Sequence, residues 1–145
     1  MFKLLVLALA AAANAANFDV QVGKGGLTFT PDSVTAAKGD TVTFHFVGGF
    51  HDAVVGDFDK PCTPNGNGFA SKRYQGTDAG TQKFTVTLNS TDPLYYFCSV
   101  GQHCANGMVA AINPASGKTV ADYRTASKGK AAKEPTSTYG GVASP

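Results

Sequence analysis

The stretch Cys98-Ser99-Val100-Gly101-Gln102-His103-Cys104-Ala105-Asn106-Gly107-Met108 places a thiol, an imidazole and a thioether at even intervals. Four residues separate Cys98 from His103, and four more separate His103 from Met108. A second imidazole, His51, stands far upstream near the end of another strand-like segment. Soft sulfur combined with neutral imidazole selects copper over the hard cations, and a thioether is an unusual ligand for zinc. Two His, one Cys and one weak axial Met are the donor set of a mononuclear type 1, or blue, copper site. Cys98, His51 and His103 would supply the trigonal plane and Met108 the axial group. Taken singly, a His in a Gly-rich turn is ordinarily a surface residue and a Met at a strand start is ordinarily core. The combination carries the reading. His45 is set aside, because it alternates with Thr43 on the polar face of its segment.

The elements that must position these residues read as strands. Phe18 and Val20 alternate with Asp19 and Gln21, and Leu27 and Phe29 suggest a second short strand stopped by Pro31-Asp32. In Thr41-Val42-Thr43-Phe44-His45-Phe46-Val47 the apolar residues share one face, which is the period of a half-buried strand. Phe84, Val86 and Leu88 alternate with Thr85 and Thr87. Leu94, Tyr96 and Cys98 share a face, as do Met108, Ala110 and Ile112, so Cys98 and Met108 both point inward on strands joined by the donor-bearing loop. Gly101 and Gly107 permit a tight loop there. Short strands punctuated by Gly, Pro and Asn predict an all-β sandwich or barrel. The segment from Gly56 to Lys83 is loop-rich, with room for a short helix or an extra hairpin.

At 145 residues the chain holds one domain with appendages. Residues 1–15 read as a secretory signal: Lys3, the apolar run Leu4 to Ala13, and the small-x-small site Ala13-Asn14-Ala15. That run is too short to span a membrane, so the mature chain is expected to start near Ala16 with no membrane span, in an oxidising compartment. The body, residues 16–113, carries six basic and eight acidic residues; residues 114–145 carry five basic and two acidic. Neither balance makes a nucleic-acid footprint. Residues 114–145 are rich in Ala, Ser, Thr, Lys, Gly and Pro and read as a flexible tail, with Val120, Ala121 and Tyr123 as the residues able to form one docked turn. Asn89-Ser90-Thr91 is an N-glycosylation sequon.

Three cysteines leave one thiol over after any single disulfide. If Cys98 binds copper, Cys62 and Cys104 remain to pair, closing a loop worth on the order of 4 kcal/mol in the chain-entropy model. The alternatives are a Cys98–Cys104 bridge with Cys62 free, and a zinc site built on all three cysteines and His103. The zinc pattern lacks the close Cys pair usual in structural sites.

These residues resemble the cupredoxin family. The nearest resemblance is to the phytocyanin branch and the related secreted cupredoxin-like proteins of fungi. It is carried by Cys98, His103 followed at once by Cys104, and Met108. Phe29-Thr30-Pro31-Asp32-Ser33-Val34 and Lys38-Gly39-Asp40-Thr41-Val42-Thr43-Phe44 resemble the early strands, and Phe58-Asp59-Lys60-Pro61-Cys62-Thr63-Pro64 resembles the fungal subgroup. The resemblance covers about residues 18–113. It implies a Greek-key β-sandwich, the ligands His51, Cys98, His103 and Met108, and a disulfide joining the Cys beside the ligand His to an upstream Cys. Asp52 departs from the family, which often has a small or β-branched residue after the His; the change bears on local hydrogen bonding.

The expected function is one-electron transfer by a secreted, monomeric protein holding one copper ion. Its redox partner, protein or small molecule, is not named by the sequence. The alternative is copper sequestration or delivery outside the cell or at the cell wall, without a redox role. Three His in all cannot build the His-rich cluster of a multicopper oxidase, so no enzymatic activity is expected.

Overall fold

The computed structural model describes residues 14–145, so the leader expected over residues 1–15 lies, up to residue 13, outside the described residues. In chain order the elements are β1 (Asn17–Val22), β2 (Phe29–Thr30), β3 (Ser33–Val34), β4 (Thr41–Phe46), β5 (Phe50–His51), β6 (Val54–Asp57), β7 (Lys60–Pro64), β8 (Tyr74–Gln75), β9 (Gln82–Thr87), β10 (Leu94–Phe97), β11 (Val109–Ile112), α1 (Val120–Ser127) and β12 (Val142–Ser144). One sheet has the order β12-β9-β4-β1-β2 and the other β3-β11-β10-β6-β7, while β5 and β8 form a short ribbon. The pairs β1–β4 and β3–β11 are parallel, because the chain crosses between sheets before returning. The other pairs are antiparallel. This is an all-β, two-sheet sandwich, the fold class that the sequence predicts.

The period-two pattern explains the core. Val42, Phe44 and Phe46 on β4 are fully buried, and Phe44 stands opposite Phe84 of β9. Between the sheets the Tyr96 ring meets Phe29, Phe44 and Phe69 at centroid distances of 4.9, 5.3 and 5.7 Å. His45 faces away from this core and bonds Asp19 at 2.7 Å. The stretch from Gly56 to Lys83 supplies the β6–β7 hairpin, the ribbon strand β8 and the core residue Phe69.

β10 and β11 are buried on both faces. Tyr96, Ala110 and Ile112 enter the inter-sheet core, whereas Tyr95, Phe97, Val109 and Ala111 enter a second cluster on the outside of the sheet. Val120, Tyr123, Ala132 and Tyr139 of residues 114–145 pack on that face, which corrects the expectation of a flexible tail. Thr119 caps α1 by accepting the Asp122 N–H at 3.1 Å, while the Asp122 carboxylate accepts the Thr119 N–H at 3.1 Å, a reciprocal capping box. Tyr123, fully buried, packs on Tyr95 at 5.3 Å and Phe58 at 5.9 Å. Farther on, Tyr139 bridges to Ala70, and β12 pairs with the edge of β9. The tail has few large apolar residues because it builds no core of its own. It needs only enough to cover a face that β10 and β11 already make apolar.

Candidate metal centre

His51 ends β5, held opposite Tyr74 of β8. Cys98 follows β10 directly, and Met108 immediately precedes β11. The Cys98 N–H donates to the Met108 carbonyl at 3.1 Å, so the two strand ends are joined at the base of the loop. Inside the loop the His103 N–H donates to the Val100 carbonyl and the Met108 N–H to the His103 carbonyl, each at 3.0 Å. Gly101 (φ 48°) and Gly107 (φ 92°) take left-handed conformations, as the tight turn requires.

Three donors converge. Cys98 Sγ lies 3.7 Å from His51 Nδ1 and 3.4 Å from His103 Nδ1, and the two nitrogens are 3.2 Å apart. Donors about 2.0–2.3 Å from a common centre, coplanar with it, stand about 3.5–3.8 Å from one another. The observed separations differ from these by a few tenths of an ångström at most, so the residues present fit a first-row ion. Cys98 and Met108 are both fully buried in the inter-sheet core. His51 is buried as well, while His103 is only partly so.

The electrostatics suit a soft cation. Burial, with the neighbouring Asp52 next, pushes the Cys98 thiol up to about 12. A thiolate in this place therefore calls for a bound cation, which deprotonates a coordinating thiol outright. Burial, reinforced by His103, lowers His51 to about 4, and burial lowers His103 as well. Both imidazoles are thus neutral near pH 7, with lone pairs free to ligate.

Asp52, the departure that bears on local hydrogen bonding, takes its role from a partner, Ser99, that the sequence does not name. Its side chain is buried and accepts the Ser99 N–H at 2.6 Å and the Ser99 hydroxyl at 2.5 Å. That strap ties the residue after His51 to the residue after Cys98 and holds two donors in register. Gly23 was missed. A Cβ there would lie 2.6 Å from His51 Cδ2, so only glycine lets the β1–β2 turn close over the imidazole edge.

Cys62 and Cys104 form a disulfide, and Cys98 is a free, buried thiol. The bridge ties β7 to the residue after His103. The alternatives pairing Cys98 with Cys104, or gathering all three cysteines around zinc, are excluded by this arrangement.

The description "copper binding proteins, plastocyanin/azurin family" matches residues 16–113. The chain belongs to that family of copper-binding proteins, and its donors His51, Cys98 and His103 converge as described above. Among its relatives is an "extracellular serine-rich protein" of Arthroderma benhamiae, 43% identical over 128 residues, covering 86% of this chain and 50% of the relative. A "probable GPI-anchored cupredoxin-1" of the same fungus is 41% identical over 128 residues, covering 87% of this chain and 67% of the relative. A chloroplastic plastocyanin of Tetradesmus obliquus is 33% identical over 105 residues, covering 72% of this chain and 70% of the relative. The chain thus spans half to two thirds of the length of the fungal relatives it matches.

Proposed function

We propose that this chain is a secreted type 1 copper protein that transfers single electrons, with Cys98, His51 and His103 as the strong ligands and Met108 as the weak axial one. The observation that carries the proposal is the convergence of two neutral imidazoles and one buried thiol within 3.7 Å on a two-sheet scaffold. Copper held there supplies a one-electron couple. The protein's own part is to keep the donors fixed. The Asp52–Ser99 strap and the Cys98–Met108 backbone bond each restrain one ligand-bearing segment against another, and the disulfide anchors the loop that carries His103 to β7.

His103 borders a shallow depression of about 570 Å³ lined also by Leu27, Gly48, Phe50 and Val100. Phe50 is 56% exposed beside it. A small apolar rim around a partly exposed imidazole suits brief docking of a redox partner, with electrons passing through the His103 edge. We propose no catalysis by this chain alone and a monomeric state.

Export is part of the same proposal. The disulfide suits an oxidising compartment. Cleavage after Ala15 would also place a new α-ammonium at Ala16, whose nitrogen already donates to the Asp40 carboxylate at 2.8 Å. Among the described residues no helix is long and apolar enough to cross a membrane. Asn89 is exposed just beyond β9, open to glycosylation.

The test is voltammetry and electron self-exchange on copper-loaded protein. A reversible one-electron wave with rapid self-exchange is expected. An irreversible wave together with easy release of copper to a mild chelator would favour delivery or sequestration instead.

A further inference from the structure

We infer that α1 and the turn after it clamp the ligand loop from outside, with Arg124 as the positioning residue for Met108. The inference rests on the copper reading above. Arg124 Nε donates to the Gly107 carbonyl at 3.1 Å, and Nη2 donates to the Val109 carbonyl at 3.3 Å. One guanidinium thus holds the carbonyls of the two residues that flank Met108. Nη2 also pairs with Asp32 at 2.7 Å, just ahead of β3, the neighbour of β11. The side-chain stem lies along the loop, for a Cβ on Gly107 would come within 3.0 Å of Arg124 Cγ. Beyond the helix the Gly129 N–H donates to the Ala105 carbonyl at 3.1 Å, a third anchor on the same loop.

The clamp matters most for the axial donor. A thioether contact is long and weak, so it cannot hold its own residue in place. The position of Met108 is set by the core packing around its side chain and by its backbone. From inside, that backbone is bonded to His103 and Cys98, two other donor residues. From outside, the flanking carbonyls are bonded to Arg124. A planar, always-charged fork reaches two carbonyls and a carboxylate together, which a lysine ammonium on a flexible stem does less well.

The test compares full-length wild type, Arg124→Ala, Arg124→Lys and Ile112→Val. The last shortens a buried side chain at the far end of β11, as a control for stability alone. In metal-free protein, amide hydrogen exchange at Gly107 and Met108, measured relative to β4, should speed up about tenfold in Arg124→Ala, as for loss of one charge-assisted hydrogen bond. Arg124→Lys should recover part of the protection, and Ile112→Val should leave the ratio unchanged. In the Cu(II)-loaded protein the visible charge-transfer band should shift in Arg124→Ala and stay in place in Ile112→Val. Wild-type loop exchange together with an unshifted band in Arg124→Ala would overturn the clamp; if that variant does not fold, the same result in Arg124→Lys would overturn it. A colourless wild type would instead remove the copper reading, and the exchange measurement would still decide the clamp.

Discussion

Replacing Cys62 and Cys104 together by alanine tests how far the bridge, rather than the sheets, holds the ligand loop. The bridge joins residues separated by 42 positions. Loop-closure entropy for that length contributes about 4 kcal/mol. A domain of this size has a total stability of about 5–15 kcal/mol, so the loss is about a quarter of it or more. At about 3–5 °C per kcal/mol, the midpoint of thermal unfolding should fall by about 15 °C. Urea unfolding of the metal-free proteins, followed by far-ultraviolet circular dichroism, measures the difference directly. The copper-loaded variant should keep its colour, because neither cysteine is a donor. It should lose copper to a chelator faster, because Cys104 adjoins His103. A stability loss below about 1 kcal/mol would refute the reasoning, since the denatured chain would then gain almost no freedom from opening the loop.

Three further outcomes follow from particular contacts. Tyr123→Ala should cost about 3–5 kcal/mol, as for a fully buried aromatic, whereas Tyr123→Phe should be neutral or stabilising because the buried hydroxyl has no hydrogen-bond partner among the described residues; an effect of Tyr123→Ala within about 0.5 kcal/mol in urea melts would mean that the tail is undocked. His51 titrates near 4 in the folded state against 6.5 for the free side chain, so the unfolded chain takes up a proton first as pH falls. The metal-free protein should therefore lose stability as pH falls from 7 towards 4, by about 2 kcal/mol through His51, and a clearly smaller loss in His51→Gln than in wild type would assign that share, the remainder belonging to groups such as His103, which burial also lowers. Met108→Gln should keep the coloured site and lower the reduction potential, since an oxygen donor favours Cu(II) more than a thioether does; unchanged spectrum and potential in Met108→Leu would remove Met108 from the site.

The donor set was legible because its residues are rare types at fixed spacing, and because Cys98 and Met108 fall on the inward face of strands whose alternation is plain. The strands around Phe44, Phe84 and Tyr96 were legible for the same reason. The tail was not, since composition describes what a segment can bury on its own and not what it can cover. The signal was present elsewhere: Tyr95, Phe97, Val109 and Ala111 are apolar on the face that a half-buried strand leaves to water, so β10 and β11 required a second cover. Gly23 and Asp52 act through contacts with His51 and Ser99 made across the fold. Nothing in the local sequence of either residue announces such a contact.

The measurement that bears most directly on the account is the visible spectrum of the folded protein on addition of one equivalent of Cu(II), beside Cys98→Ser. An intense thiolate charge-transfer band, saturating at one copper per chain and absent from a folded Cys98→Ser, is the predicted result. A wild type that binds copper without colour, or a Cys98→Ser variant that keeps the band, would contradict it.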